Sequence, residues 1–167
     1  MPNYIRPKIP GATVFLTINL AHRDQRLLTG KFDLLSLISK KALESRPVKI
    51  HQWVVLPNHM HCLWTLPRTD HDYSTRVASI KAQFTMALRR AGLSPPPNLP
   101  TVASGSHAGL KPGLRTNKRE QPIWQRRFWE HHVRDQKDFE ACAEYCWLNP
   151  VKHDLSTDPK TWPYRIS

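Results

Sequence analysis

Apolar residues recur along the chain with two different periods, and the change from one to the other predicts a mixed order of strands and helices. Residues 12–20 are rich in β-branched and aliphatic side chains and predict a buried first strand. A helix is expected next, with Asp33 as its cap, Leu34, Leu37, Ile38 and Ala42 at helical spacing, and Pro47 just beyond its end. Residues 48–55 and 59–66 read as a hairpin joined by the turn-forming Leu56, Pro57 and Asn58. Residues 75–91 predict a second helix, with Val77, Ile80, Phe84 and Leu88 facing the core and Lys81, Arg89 and Arg90 facing away. The segment 94–121 is rich in Pro, Gly, Ser and Lys and is expected to be a long loop. Residues 128–133 predict another strand, Asp135 caps a last helix, and the tail 155–167 reads as irregular. The order β-α-β-β-α-loop-β-α fits an α+β fold: a ferredoxin-like (RRM-like) antiparallel sheet with packed helices. A length of 167 residues without internal repeats suits one domain, 1–167, with a core of its own.

Two positions on the second hairpin strand carry candidate chemistry. His59 and His61 flank Met60, and alternate side chains of a strand leave the same face about 6.5–7 Å apart along the backbone, so both imidazoles can converge on one cation. The same triplet also arises in a strand that merely shows a polar face to water. A second cluster lies on the last helix, where Tyr145 and Asn149 are four residues apart and therefore share a helix face. A phenol ionises only near about pH 10, so a tyrosine that attacks phosphorus needs its target phosphate polarised. The amide oxygen of Asn149 would complete a set of two nitrogens and one oxygen suited to Mg²⁺ or Mn²⁺. Each of these residues also has a plain structural reading. Asn149 before Pro150 is an ordinary helix ending, and Tyr145 with Phe139, Cys142 and Leu148 could be core.

Charge and cysteine usage narrow the setting. With 25 Lys and Arg against 13 Asp and Glu, the formal charge is +12, which favours a polyanionic partner. Basic and aromatic residues interleave at Arg115, Lys118 and Arg119 and then at Trp124, Arg126, Arg127, Phe128 and Trp129, where phosphate pairing and base stacking would combine. Trp124 and Phe128 serve equally well as core. Arg6 and Lys8 form a basic arm near the start. No apolar run approaches the roughly 20 residues needed to cross a bilayer, and the first residues lack the apolar stretch of a secretion signal, so a cytoplasmic protein with no membrane partner is expected. Cys62, Cys142 and Cys146 cannot all pair and suit a reducing compartment. Cys142 and Cys146 share a helix face and would, with His153, make a zinc set, although structural zinc sites usually take cysteines from turns at closer spacing.

Taken together, Leu56-Pro57-Asn58-His59-Met60-His61, the run from Ile123 to His131, Tyr145-Cys146-Trp147-Leu148-Asn149-Pro150-Val151-Lys152-His153 and the closing Trp162-Pro163-Tyr164 resemble the sequence blocks of the REP-associated tyrosine transposases of bacteria, within the single-tyrosine HUH superfamily. The resemblance covers nearly the whole chain. It departs from the family's blocks in 94–121 and at Cys146, where an aliphatic residue is more usual. It implies an HUH-type fold, a divalent ion on His59, His61 and Asn149, and Tyr145 as nucleophile; Lys152, in the same run, is a further candidate for DNA contact. It also implies cleavage and rejoining of single-stranded DNA at a REP-like hairpin through a 5′-phosphotyrosine, by a monomer or a homodimer associated with the bacterial nucleoid. Two other classes share the basic surface: a noncatalytic hairpin-binding protein, which never becomes attached to DNA, and a metal-dependent phosphodiesterase using water, for which Tyr145 is dispensable.

Overall fold

A computed structural model describes residues 7–22, 25–93 and 123–167. The elements are β1 (Thr13–Asn19), a single turn α1 (Leu27–Gly30), α2 (Phe32–Glu44), β2 (Lys49–Val55), β3 (His59–Thr65), α3 (Tyr73–Arg90), β4 (Trp129–His132), α4 (Gln136–Lys152) and a short 3-10 turn at Pro159–Thr161. The four strands form one sheet in the order β2-β3-β1-β4, and every neighbouring pair is antiparallel. This is the ferredoxin-like order expected from the sequence, with the first and third strands at the centre.

Because side chains alternate across a strand, the two central strands feed two separate cores. Val14, Leu16 and Ile18 of β1 point the same way as Met60, Cys62 and Trp64 of β3, and pack with Leu35 and Leu43 of α2 and Val77, Ile80 and Phe84 of α3. On the other face Phe15, Val54 and Leu63 meet Cys146 of α4 and Trp162 of the tail. His59 and His61 share this second face, with His61 opposite Thr17 and His59 opposite Asn19 in the β1–β3 register.

The turn that precedes the histidines is tied on several sides. Leu56 N–H donates to the His59 carbonyl at 2.8 Å, Leu20 N–H to that of Asn58 at 2.8 Å, and Leu28 N–H, from the unforeseen α1, to that of Pro57 at 3.0 Å. Helix α4 is capped as expected, the Asp135 carboxylate accepting from Asp138 N–H at 2.8 Å. A register shift in β2 between Ile50 and Gln52 accompanies His51, whose Nε2 lies 2.7 Å from Thr65 Oγ1 and whose ring takes Phe139 of α4 edge-on at 4.9 Å. The helix does not end at Asn149. It runs through Pro150 to Lys152 and so carries one further turn over the sheet.

Several sequence expectations need correction. Lys81 does not face away: its buried ammonium donates to the Gln125 carbonyl at 2.9 Å and lies 5.9 Å and 5.7 Å from the ring centres of Trp124 and Phe128. The chain after residue 122 crosses α3 there and offers the cation an oxygen and two aromatic faces, while its methylenes join the core. Lys31, not Asp33, precedes α2. Asp33 lies in the first turn, where its charge opposes the positive end of the helix dipole. The tail lacks regular strands but is fastened: Val55 N–H donates to the Tyr164 carbonyl, Ile166 N–H to that of Trp53, and Trp162 Nε1–H to that of Val55, at 2.9–3.0 Å. These bonds cover the outer edge of β2, which would otherwise show unpaired peptide groups. The predicted loop 94–121 lies outside the described residues.

The helical spacing of Leu34, Leu37, Ile38 and Ala42 misplaces one leucine of α2: Leu35 is fully buried and Leu37 is 65% exposed. Leu35→Ala should cost about 2–5 kcal/mol of unfolding free energy in urea melts, and Leu37→Ala within about 0.5 kcal/mol. Equal costs would contradict this assignment of faces.

Candidate active site

The α4 face of β3 and the underside of α4 enclose a cluster of rings. The His59 and His61 ring centres are 5.0 Å apart, and His61 stacks on Phe15 of β1 at 5.5 Å. Tyr145 meets the same group edge-on, 5.2 Å from His61 and 5.8 Å from Phe15. Its side chain is 40% exposed, so it is not the core aromatic that its apolar neighbours allowed. Asn149, one turn further along α4, is 1% exposed. The extra turn beyond Pro150 brings Lys152 Nζ to 4.7 Å from the Tyr145 ring centre and the His153 ring to 5.1 Å from that of His59.

The hydrogen bonds around the histidines decide how their lone pairs point. Asn58 Oδ1, 2.6 Å from His59 Nδ1, can only accept, which places the proton on Nδ1 and the lone pair on Nε2. His61 Nδ1 lies 2.9 Å from Thr17 Oγ1. With Nδ1 protonated and donating to that hydroxyl, Nε2 again presents a lone pair. Burial, reinforced by the neighbouring His59 and His153, depresses the His61 pKa to about 3, so the ring is neutral at physiological pH. His61 Nε2 and both amide atoms of Asn149 are buried without a hydrogen-bond partner. Orphaned buried polar atoms are costly, and two imidazole nitrogens with a carboxamide oxygen are the donors a divalent cation takes. The residues present therefore fit such an ion.

Other candidate residues are dispersed. Trp124 is core, packed on Phe84 at 5.7 Å between ring centres, and in this arrangement presents no face for base stacking. Phe128 is half-buried against Tyr73. Arg126 and Arg127 are exposed, Lys8 is exposed beside His71 and Asp72, and exposed Lys152 stands at the site itself. Arg6, Arg115, Lys118 and Arg119 lie outside the described residues. Sequence reasoning missed Phe15 and Thr17, which only the strand register places opposite His61, and His153, which follows Asn149 by four residues and was legible as its helical neighbour. Nor do Cys142, Cys146 and His153 form a zinc set: among the described residues, Cys142 instead groups with His131 and Asp138, and Cys146 is buried in the second core. Beside Tyr145 opens a cavity of about 350 Å³ lined by Phe15, Thr17, Trp129, Ala141 and Cys142.

No family model matches the chain. A REP-associated tyrosine transposase of Escherichia coli (strain K12) is 39% identical to it over 164 residues, covering 98% of this chain and 81% of that one. The chain belongs to the REP-associated tyrosine transposases. A Haemophilus influenzae protein described under the same family name is 35% identical over 98% of the chain and 84% of its own length. The solved structure of a REP-associated tyrosine transposase bound to a REP hairpin superposes with a TM-score of 0.77 at 38% identity, over 99% of this chain and 82% of that one. The match of this chain to a family structure over its length agrees with the α+β sheet architecture described above.

In metal-free protein, His61 should stay neutral while a free imidazole, at about 6.5, titrates, and should charge only near pH 3. Its folded pKa lies below the unfolded value, so its contribution to stability is whole above about pH 6.5 and is lost as pH falls toward 3. Imidazole nitrogen shifts followed by NMR check this, and a His61 signal titrating near neutrality would overturn it.

Proposed function

We propose that this protein is a divalent-metal-dependent endonuclease and strand transferase acting on single-stranded DNA at REP-like hairpins, with Tyr145 as nucleophile. The observation that carries the reading is the half-exposed Tyr145 ring 5.2 Å from a buried, neutral His61 within one chain. The family relationship and the +12 charge support a DNA substrate, and the relative bound to a REP hairpin supports the hairpin form.

His59, His61 and Asn149 would hold the ion, which when bound would polarise the scissile phosphate and offset its developing charge. Asn58 fixes the tautomer of His59, and Thr17 orients the His61 ring. Phe15 and the α4 backbone hold the phenol at the edge of the ring cluster, and Lys152 adds a positive charge beside it that attracts the DNA phosphate. The Tyr145 oxygen attacks phosphorus as its proton passes to solvent. The bond to the 3′ oxygen breaks, leaving a free 3′-hydroxyl and a 5′-phosphotyrosine. A later attack by another 3′-hydroxyl on the same phosphorus releases Tyr145 and joins the strands, and no nucleotide cofactor is consumed. The cavity lined by Trp129 and Phe15 gives an unpaired base flanking the scissile phosphate an aromatic wall to stack on. All the proposed groups belong to a single copy, so a monomer suffices for cleavage.

Tyr145→Phe should bind a labelled REP-like hairpin as the parent protein does yet form no covalent adduct on a denaturing gel with Mn²⁺. His59→Ala and His61→Ala should both abolish cleavage. Nicking without a protein-linked strand would favour the phosphodiesterase reading, and binding without any cleavage by the parent protein would favour a noncatalytic hairpin binder. Thr17→Val, which removes only the hydrogen bond that orients His61, should lower metal affinity or cleavage rate by about 10–100-fold.

A further inference from the structure

Apart from the Tyr145 cluster, one group of ligating side chains comes together among the described residues. His131 of β4, Asp138 in the first turn of α4 and Cys142 one turn later place a nitrogen, a carboxylate oxygen and a sulfur all within 4.8 Å of one another. His131 Nε2 is 2.9 Å from both carboxylate oxygens of Asp138. Arg134 engages Oδ2, donating from its backbone N–H at 3.0 Å and from Nε at 3.2 Å, and so helps to fix the carboxylate beside His131. These are not loose surface groups: the Asp138 side chain is 12% exposed, that of His131 29%, and the Cys142 thiol is partly buried. His131 is further fixed by a parallel stack on Trp129 at 6.0 Å.

We propose that His131, Asp138 and Cys142 form a second metal site, specific for a soft or borderline ion of the Zn²⁺ class, that ties β4 to α4. The spacing supports it in two ways. Asp138 and Cys142 are four residues apart on α4 and present their donors side by side, while His131 reaches them from the strand, so two elements contribute ligands. Nitrogen, oxygen and thiolate together are a donor set that Zn²⁺ accepts in four-coordinate geometry, with water as the fourth ligand. Mg²⁺ and Mn²⁺ prefer oxygen and nitrogen and discriminate against the sulfur, so the two sites of the molecule would take different metals. The His131–Asp138 hydrogen bond is then the metal-free form of the site. It holds two ligands near their places, and the ion replaces a proton between them. Cys142 is three residues before Tyr145 and lines the cavity beside it, so an ion here would fasten the half of α4 that leads into the tyrosine to the edge strand of the sheet.

The test uses full-length metal-free protein carrying His61→Ala, which weakens the other site, titrated with Co²⁺ as a spectroscopic stand-in for Zn²⁺. The expected result is a thiolate-to-cobalt charge-transfer band that Zn²⁺ abolishes and excess Mg²⁺ leaves unchanged. Adding Cys142→Ser should remove the band, and adding His131→Ala should weaken Co²⁺ binding at least about tenfold, by analogy with loss of a supporting group at other metal sites. Should the serine variant fail to fold by circular dichroism, Cys142→His decides: it should still bind Zn²⁺ while showing no sulfur band. No sulfur band in the His61→Ala protein, a band that survives replacement of Cys142, or loss of Zn²⁺ binding in folded Cys142→His would each overturn the proposal.

Discussion

The arrangement depends on one constraint: β1 and β3 lie at the centre of the sheet and are covered on both faces. Every residue of β3 must then suit one of two enclosed surroundings, and the period of two assigns them. Met60, Cys62 and Trp64 go to the core under α2 and α3, while His59, His61 and Leu63 go to the face under α4. A slip of one residue in the β1–β3 register would drive two imidazoles into an apolar core and turn Met60 and Cys62 toward the tyrosine. The positions of the histidines are thus as secure as the core itself, because the same register determines both.

Burial then shapes their chemistry. A histidine on an open strand would exchange its proton with water near neutrality and hydrogen-bond to solvent through both nitrogens. Beneath α4 and stacked on Phe15, His61 keeps a neutral ring, one nitrogen held by Thr17 and the other directed into a space where it has no partner. Asn149 carries the same unmet demand from the helix side. Such groups lower the stability of the protein by itself, and the loss is recovered when a ligand satisfies them, a common relation between local instability and function.

Much of this was legible in the sequence, and the failures have identifiable causes. The β-branched and aliphatic run of the first strand, the hairpin around Leu56, Pro57 and Asn58, the apolar series Val77, Ile80, Phe84 and Leu88, and the cap at Asp135 are local signals that burial and hydrogen bonding then repeat. Lys81 was misplaced because its helical position is polar by residue type, while its surroundings are set by a segment more than forty residues away. The fastening of the tail to β2 runs largely through backbone groups, with one bond from the Trp162 indole, and backbone pairing leaves no trace in side-chain pattern. Thr17 and Phe15 were invisible for the same kind of reason: only pairing with β3 makes them neighbours of His61. Trp124 was ambiguous by composition, since a ring flanked by arginines reads alike whether it stacks on a base or on Phe84.

Pro150 has a consequence for the far end of α4. Proline has no amide hydrogen, so the carbonyl one turn earlier, that of Cys146, loses the bond that would link it to the last turn. The ladder is therefore interrupted between the residues that face the sheet and those that overhang it. Lys152 and His153 nonetheless ride on a terminal turn that is tied back by other bonds, the His153 N–H reaching the Asn149 carbonyl at 3.1 Å and the Leu155 N–H that of Pro150 at 2.9 Å, so their place beside Tyr145 and His59 is held from both sides of the gap.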